Sequence, residues 1–200
     1  MSTDSRILLR RTLRQRRHNI APQRRQSAAE QAAEQIIAQC GYRRARCLGG
    51  YLAVASELDP GLVLADSITR GKQVFVPRIT DADTMVFSPW SPQASMQPNR
   101  FGIPEPQTDE SIPAEKLDFV IVPLLAFDSR GNRLGSGAGY YDRTFAFKLD
   151  RPASLPVLCG YAYAWQQQEM LQTAPWDVPL DLVVVEAQTL VINPLRQEPV

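Results

Sequence analysis

Residues 130–143 read R-G-N-R-L-G-S-G-A-G-Y-Y-D-R and combine three features that handle anions. Gly135, Gly137 and Gly139 alternate with Ser136 and Ala138, so the backbone there can approach a ligand closely and adopt φ > 0. Arg133 stands just before them with a forked cation that matches phosphate oxygens. A helix starting after Gly139 would aim its free N–H groups and positive dipole end at the same place. Asp142 then falls in the first helical turn, either as an acid favoured by the dipole or as a carboxylate for hydrated Mg²⁺. There is no G-K-[ST], and Tyr140 stands where G-x-G-x-x-G needs glycine. On its own, the spacing fits a phosphate cradle and a strand-to-helix turn equally well.

Charge is placed unevenly. The net charge is +1, yet residues 1–46 hold eleven arginines against three acidic residues, a net of +8, and the remainder nets −7. Such asymmetry points to nucleic acid, a membrane surface, a polyanionic small ligand or an arginine-rich transit peptide. Arg6, Arg10, Arg14 and Arg17 follow helical spacing, and the plain reading of that stripe is a solvated face. Cys40, Cys47 and Cys159 show no CxxC spacing, which favours a reducing compartment. His18 is the sole histidine, so a serine–histidine triad or a zinc site is poorly supported. No apolar run reaches the roughly 20 residues needed to span a bilayer.

The elements that must position these residues follow from periodicity. Ser2, Thr3 and Asp4 offer N-caps for a helix beginning near Ser5, with Leu9, Leu13 and Ile20 on one face. Pro22 suits the first turn of a second helix that runs to Gly41. Strands are expected at 47–54, 73–79, 85–90, 118–128, 156–163, 182–186 and 190–193, and helices at 60–71, 140–149 and 165–171. Residues 91–116 carry five prolines and no clear period, so a long surface loop is expected. The alternation implies an α/β fold: one domain over 1–200, with a mostly parallel, Rossmann-like central sheet flanked by helices and a basic N-terminal helical pair over 1–41.

The string from P-L-x-A-F-D through R-L-G-x-G-x-G-Y-Y-D-R resembles the signature of 5-formyltetrahydrofolate cyclo-ligases, also called methenyltetrahydrofolate synthetases. The similarity extends over nearly the whole chain, through Y-L-A-V-A-S-E-L-D, R-G-K-Q-V-F-V-P, F-G-I-P-E-P and W-D-V-P-L-D in order. It implies a cytoplasmic ligase of one-carbon metabolism that uses ATP and Mg²⁺ to convert 5-formyltetrahydrofolate into 5,10-methenyltetrahydrofolate, with ADP and phosphate released. It further implies an ATP site at Arg10, Arg14, Arg133, Leu134, Gly135, Ser136, Gly137, Ala138, Gly139, Tyr140 and Tyr141. Leu52, Glu57, Phe101 and Tyr140 would face the folate, and Asp142 and Asp177 the metal. Ser136 and Ala138 replace Arg and Lys of some relatives, so the phosphates would lean on backbone N–H groups and Arg133. Asp142→Ala is expected to abolish turnover and leave the fold intact. The expected partners are small molecules, with no nucleic acid and no membrane, and the chain is expected to act as a monomer. The alternatives are a non-catalytic folate- or nucleotide-binding relative and, less supported, a basic nucleic-acid-binding protein.

Overall fold

The apolar run after Asp118 forms the centre of the sheet because both of its faces are covered. The structure is a computed structural model describing residues 3–80 and 84–193. In it Phe119 and Ile121 enter one core and Val120 and Val122 the other. Side chains this deeply buried each contribute roughly 1.5–3 kcal/mol. The helices in chain order are α1 (Thr3–His18), α2 (Pro22–Ala38), α3 (Cys40–Arg44), α4 (Gly61–Thr69), α5 (Tyr140–Thr144) and α6 (Phe147–Asp150). The strands are β1 (Cys47–Gly49), β2 (Gln73–Ile79), β3 (Met85–Pro89), β4 (Met96–Pro98), β5 (Pro104–Pro106), β6 (Phe119–Pro123), β7 (Ala126–Phe127), β8 (Arg133–Leu134), β9 (Val157–Tyr161), β10 (Leu182–Val184) and β11 (Thr189–Val191). The proposed N-cap residue Ser2 and the side chains of Thr3 and Asp4 lie outside the described residues.

The main sheet runs β11-β10-β9-β6-β1-β2-β3. The five central strands are parallel, and β3 and β11 close the edges antiparallel. The chain goes from β1 to β2 on one side, then crosses to β6 on the other, so the order reverses between β1 and β6. In open α/β sheets that reversal leaves a crevice at the carboxyl ends of the strands, where ligands bind.

One face is covered by α2, whose Ala28, Ala29, Ala32, Ala33 and Ile36 recur at helical spacing. The opposite face is covered by Phe145, Val178 and Leu180. Leu13 of α1 packs with Leu125, Ala126, Leu134 and Leu171, so α1 lies on the small β7–β8 hairpin. That contact brings the arginine stripe to the glycine loop that leaves β8.

Several expected boundaries move, each for a physical reason. The strand expected over 118–128 ends at Pro123, because the carbonyls of Leu124 and Leu125 accept hydrogen bonds from the Gln166 side chain, both at 2.9 Å. The chain then re-enters as β7. The 47–54 strand leaves the sheet after Gly49, and Tyr51 turns its hydroxyl back onto the Leu58 carbonyl. The second helix stops at Ala38, and Gly41 lies inside α3 rather than ending α2. The loop over 91–116 contains the β4–β5 hairpin, whose tip is held by Asn99 Oδ1 accepting from the N–H groups of Phe101 and Ile103. Buried Glu105 ties that hairpin to β2 by accepting the Ile79 N–H at 2.9 Å. The 140–149 helix breaks into α5 and α6, and 165–171 gives only a short 3₁₀ turn over Ala164–Gln166.

Candidate active site

A cavity of about 1080 Å³ opens at the carboxyl ends of β1, β2 and β6. That exceeds the usual range of roughly 300–1,000 Å³ for one drug-sized ligand. Gly135, Ser136, Gly137, Ala138 and Gly139 form one wall. Gly137 has φ +113° and Gly139 φ +71°, conformations that exclude most side chains. Among the described residues no hydrogen bond takes the N–H groups of Ser136, Gly137, Ala138 or Gly139. Such a run of open N–H groups is a nest for an anion.

Arginines fix the orientation of this loop through its carbonyls, Arg10 and Arg143 from within the cavity lining and Arg14 from beyond it. Arg10 Nε donates to the Gly135 carbonyl at 3.0 Å, Arg14 Nη2 to Ser136 at 2.7 Å and Arg143 Nη1 to Ala138 at 2.8 Å. In a trans peptide the N–H points opposite to the C=O. The N–H groups of Ser136, Gly137 and Gly139 therefore point away from the arginines. Burial and the nearby charges of Arg6 and Arg14 lower the Arg10 pKa, while Asp177 opposes them. An incoming anion would relieve this crowding of cations.

Asp142 and Asp177 both line the cavity. Asp142 Oδ1 accepts from Arg133 Nη2 at 2.7 Å and from the Val178 N–H at 3.1 Å, one residue from Asp177. Asp177 Oδ2 accepts from the Ala174 N–H at 2.8 Å and pairs with Arg6 at 3.3 Å. Among the described residues no cluster of three or more acidic, histidine or cysteine side chains forms a metal site by itself. Two hard carboxylates beside a phosphate nest nevertheless suit Mg²⁺, whose remaining ligands are waters and substrate phosphates. Asp142 is more tied in than a solvent-facing helix start implies. Arg133, only 4% exposed in its side chain, depends on it, so Asp142→Ala is not a silent change for the fold.

The opposite wall is mostly apolar, with Leu52, Val76, Met85, Phe101 and Ile103. Glu57 lies there with its side chain 11% exposed. Its Oε2 accepts the Val54 N–H at 3.2 Å. Burial raises its pKa above the usual carboxylate range, with Arg17 opposing. Tyr140 joins the two walls: its ring meets Phe101 edge-on at 6.4 Å, and its hydroxyl accepts from Arg100 Nη2 at 2.6 Å. Burial, then the charge of Glu57, raises the Tyr141 pKa. The buried side-chain polar atoms without a hydrogen-bond partner among the described residues are Tyr141 Oη and the Nε atoms of Arg6, Arg17 and Arg133. All four residues line the cavity or pair with a residue that does, as expected where a polar ligand completes the set.

Two residues named from the sequence do not line the cavity. Leu134 is buried with its side chain among Leu13 and Leu125, so only its backbone faces this region. Arg14 acts through the Ser136 carbonyl. Sequence reasoning missed Arg6, Arg17, Arg100 and Arg143. The first two belong to the visible stripe, but their partners Asp177 and Glu57 are distant in sequence. It also quoted Asp128 without a role. Burial raises the Asp128 pKa, but hydrogen bonds from Leu171, Asn132 and Arg130 win and lower it. Asp128 thereby clamps the turn between β7 and β8 that presents the loop.

The profile of the 5-formyltetrahydrofolate cyclo-ligase family matches residues 2–186. The 5-formyltetrahydrofolate cyclo-ligase of Escherichia coli (strain K12) is 34% identical over 180 residues, covering 88% of this chain and 97% of its own. That of Haemophilus influenzae is 31% identical over 189 residues, covering 92% of this chain and 100% of its own. The NMR structure of Aquifex aeolicus 5,10-methenyltetrahydrofolate synthetase superposes with a TM-score of 0.80 at 26% identity, covering 94% of this chain and 92% of that one. The chain belongs to the 5-formyltetrahydrofolate cyclo-ligase family.

Proposed function

We propose that this chain catalyses the ATP-dependent conversion of 5-formyltetrahydrofolate to 5,10-methenyltetrahydrofolate, releasing ADP and phosphate. The observation that carries this reading is that the glycine loop, whose N–H groups are open, and Glu57 line one continuous cavity. A triphosphate and a pterin can meet there.

The formyl oxygen is amide-like and leaves poorly. Transfer of the γ-phosphoryl group to it forms an O–P bond and breaks the bond to ADP. N10 then attacks the formyl carbon, the C–O bond breaks, phosphate departs with the electron pair, and the N10 proton is lost. The chain's part is positioning and charge stabilisation. The loop N–H groups bind the triphosphate, and Arg10, Arg14 and Arg143 keep those peptide planes turned. Glu57 accepts N–H groups at the pterin edge. Phe101 and Tyr140 cover the substrate and exclude water. Asp142 and Asp177 would hold Mg²⁺, which when bound neutralises charge on the phosphates.

The test is spectrophotometric. Purified protein with 5-formyltetrahydrofolate, ATP and Mg²⁺ should generate methenyltetrahydrofolate absorbance. No product at high enzyme concentration would sink the reading, and calorimetric binding without turnover would make the chain a non-catalytic binder.

A further inference from the structure

We propose that Arg17 is a positioning residue for the folate end of the cavity: from behind Glu57 it supplies the opposing charge that lets this carboxylate present its oxygens to the donor edge of a pterin. The inference rests on the folate reading above and extends it to a residue that touches no substrate.

Arg17 lies in the last turn of α1, and its side chain is 9% exposed. It does not line the cavity, whereas Glu57 does. Its Nη1 stands 3.6 Å from Glu57 Oε1, an ion pair beyond hydrogen-bond range. Arg17 thus contributes charge without occupying a lone pair on Oε1. The other oxygen is turned by the Val54 N–H. The groups facing Glu57 are Arg17 from α1 and two tyrosines, Tyr51 behind β1 and Tyr141 on α5. Arg25 of α2 reaches the same loop but donates to the Ala55 carbonyl instead. The tyrosine hydroxyls are held neutral by burial, so Arg17 is the cation that opposes the desolvation of Glu57.

A carboxyl this shielded from water tends to keep its proton. Protonated, it offers a donor where a pterin edge also offers donors. The charge of Arg17 shifts that balance toward the two-acceptor form. The competing view is that Arg17 only anchors α1 to the 51–58 segment. An anchor would alter stability, and it would alter folate and ATP binding together.

Arg17→Met and Arg17→Lys in the full chain separate these views, with Arg17→Gln as the neutral variant if the methionine protein does not fold. The Glu57 carboxyl is followed by ¹³C-glutamate NMR in ligand-free protein, its signal assigned by its loss in Glu57→Gln. The neutral variant should titrate Glu57 at higher pH than wild type. Its dissociation constant for 5-formyltetrahydrofolate at neutral pH should rise roughly tenfold or more. That loss should shrink as pH is raised, with KM for ATP within about twofold of wild type. Arg17→Lys should keep most of the wild-type midpoint. An unmoved Glu57 midpoint, an equal loss at every pH, or a joint rise of both substrates' KM would overturn the proposal. If wild type itself neither binds nor converts the folate, the functional reading fails, while the NMR titration still decides the coupling of Arg17 to Glu57.

Discussion

At the glycine-loop end of the cavity, the proposed phosphate end, charge is met by charge repeatedly, whereas at the proposed folate end Glu57 sits in a largely apolar wall. The first end holds the Arg133–Asp142 and Arg6–Asp177 pairs and three further arginines on loop carbonyls. The second holds Glu57 beside Leu52, Val76, Met85 and Ile103. A polyanion needs many donors and tolerates loss of one with a graded penalty. A flat, mostly apolar ring needs shape plus a few well-placed polar contacts, so each polar contact there matters singly. Substitutions at the two ends should therefore separate cleanly in their kinetics.

The largest effect is expected at the proposed metal carboxylate, Asp142. Asp142→Asn keeps an acceptor for Arg133 and the Val178 N–H but gives up the charge. Turnover with Mg²⁺-ATP should fall about 10³-fold or more, with folate binding retained by calorimetry. Activity near wild type would remove Asp142 from the metal site. Asp142→Ala should additionally lower the melting temperature, since leaving a buried arginine unpaired costs roughly 3–5 kcal/mol.

Glu57→Gln comes next and strikes the other end. Losing hydrogen bonds to a charged acceptor costs about 1.5–3 kcal/mol, so folate KM should rise roughly tenfold to a hundredfold, with ATP KM unchanged. The proton balance adds a sign. Because the folded protein raises the Glu57 pKa, the protonated form stabilises the fold at low pH, and that contribution is lost as pH rises through the raised value. Folate binding needs the ionised form and should strengthen over the same interval. The glutamine protein should lack both dependences.

This contrast explains which features the sequence made legible. The proposed phosphate end is largely one continuous string, from Arg133 to Asp142, so local chemistry marks it as a candidate, although its spacing alone fits a turn equally well. The parallel sheet is legible because 119–122 and 157–159 are apolar on both parities. The proposed folate end brings Leu52, Glu57 and Phe101 to one cavity, and no local pattern joins them; only the family resemblance named them together. Arg17 was visible as part of a stripe, but its partner lies forty residues on. The break after Pro123 was hidden because Leu124 and Leu125 are as apolar as the strand before them, and its cause is the distant Gln166. The β4–β5 hairpin was masked by Pro98, Pro104 and Pro106, which weaken any strand signal.

Gly137→Ala should give a smaller loss at the phosphate end. At φ +113° an alanine is strained, by roughly 1–3 kcal/mol. Its Cβ would also meet Arg10 Nε at 3.7 Å, ordinary contact, so the penalty is conformational rather than steric. ATP KM should rise about tenfold and folate KM should stay put. An unchanged ATP KM would mean that the N–H groups of this loop do not carry the phosphates.

Phe101→Ala should have the smallest effect and the sharpest bearing on the contrast. Phe101 is exposed at the hairpin tip and touches Tyr140, which belongs to the helix that follows the glycine loop. Edge-on aromatic pairs contribute about 0.5–1.5 kcal/mol, so folate KM should rise roughly threefold to tenfold. If the two ends act separately, ATP KM is unchanged. If Tyr140 transmits the loss, both KM values rise together, and Arg100→Ala, which removes the hydrogen bond to the Tyr140 hydroxyl, should reproduce the joint rise. Equal effects on both substrates would make the hairpin a shared cover over one site. An effect on folate alone would keep the phosphate nest and the folate wall as independently tuned halves.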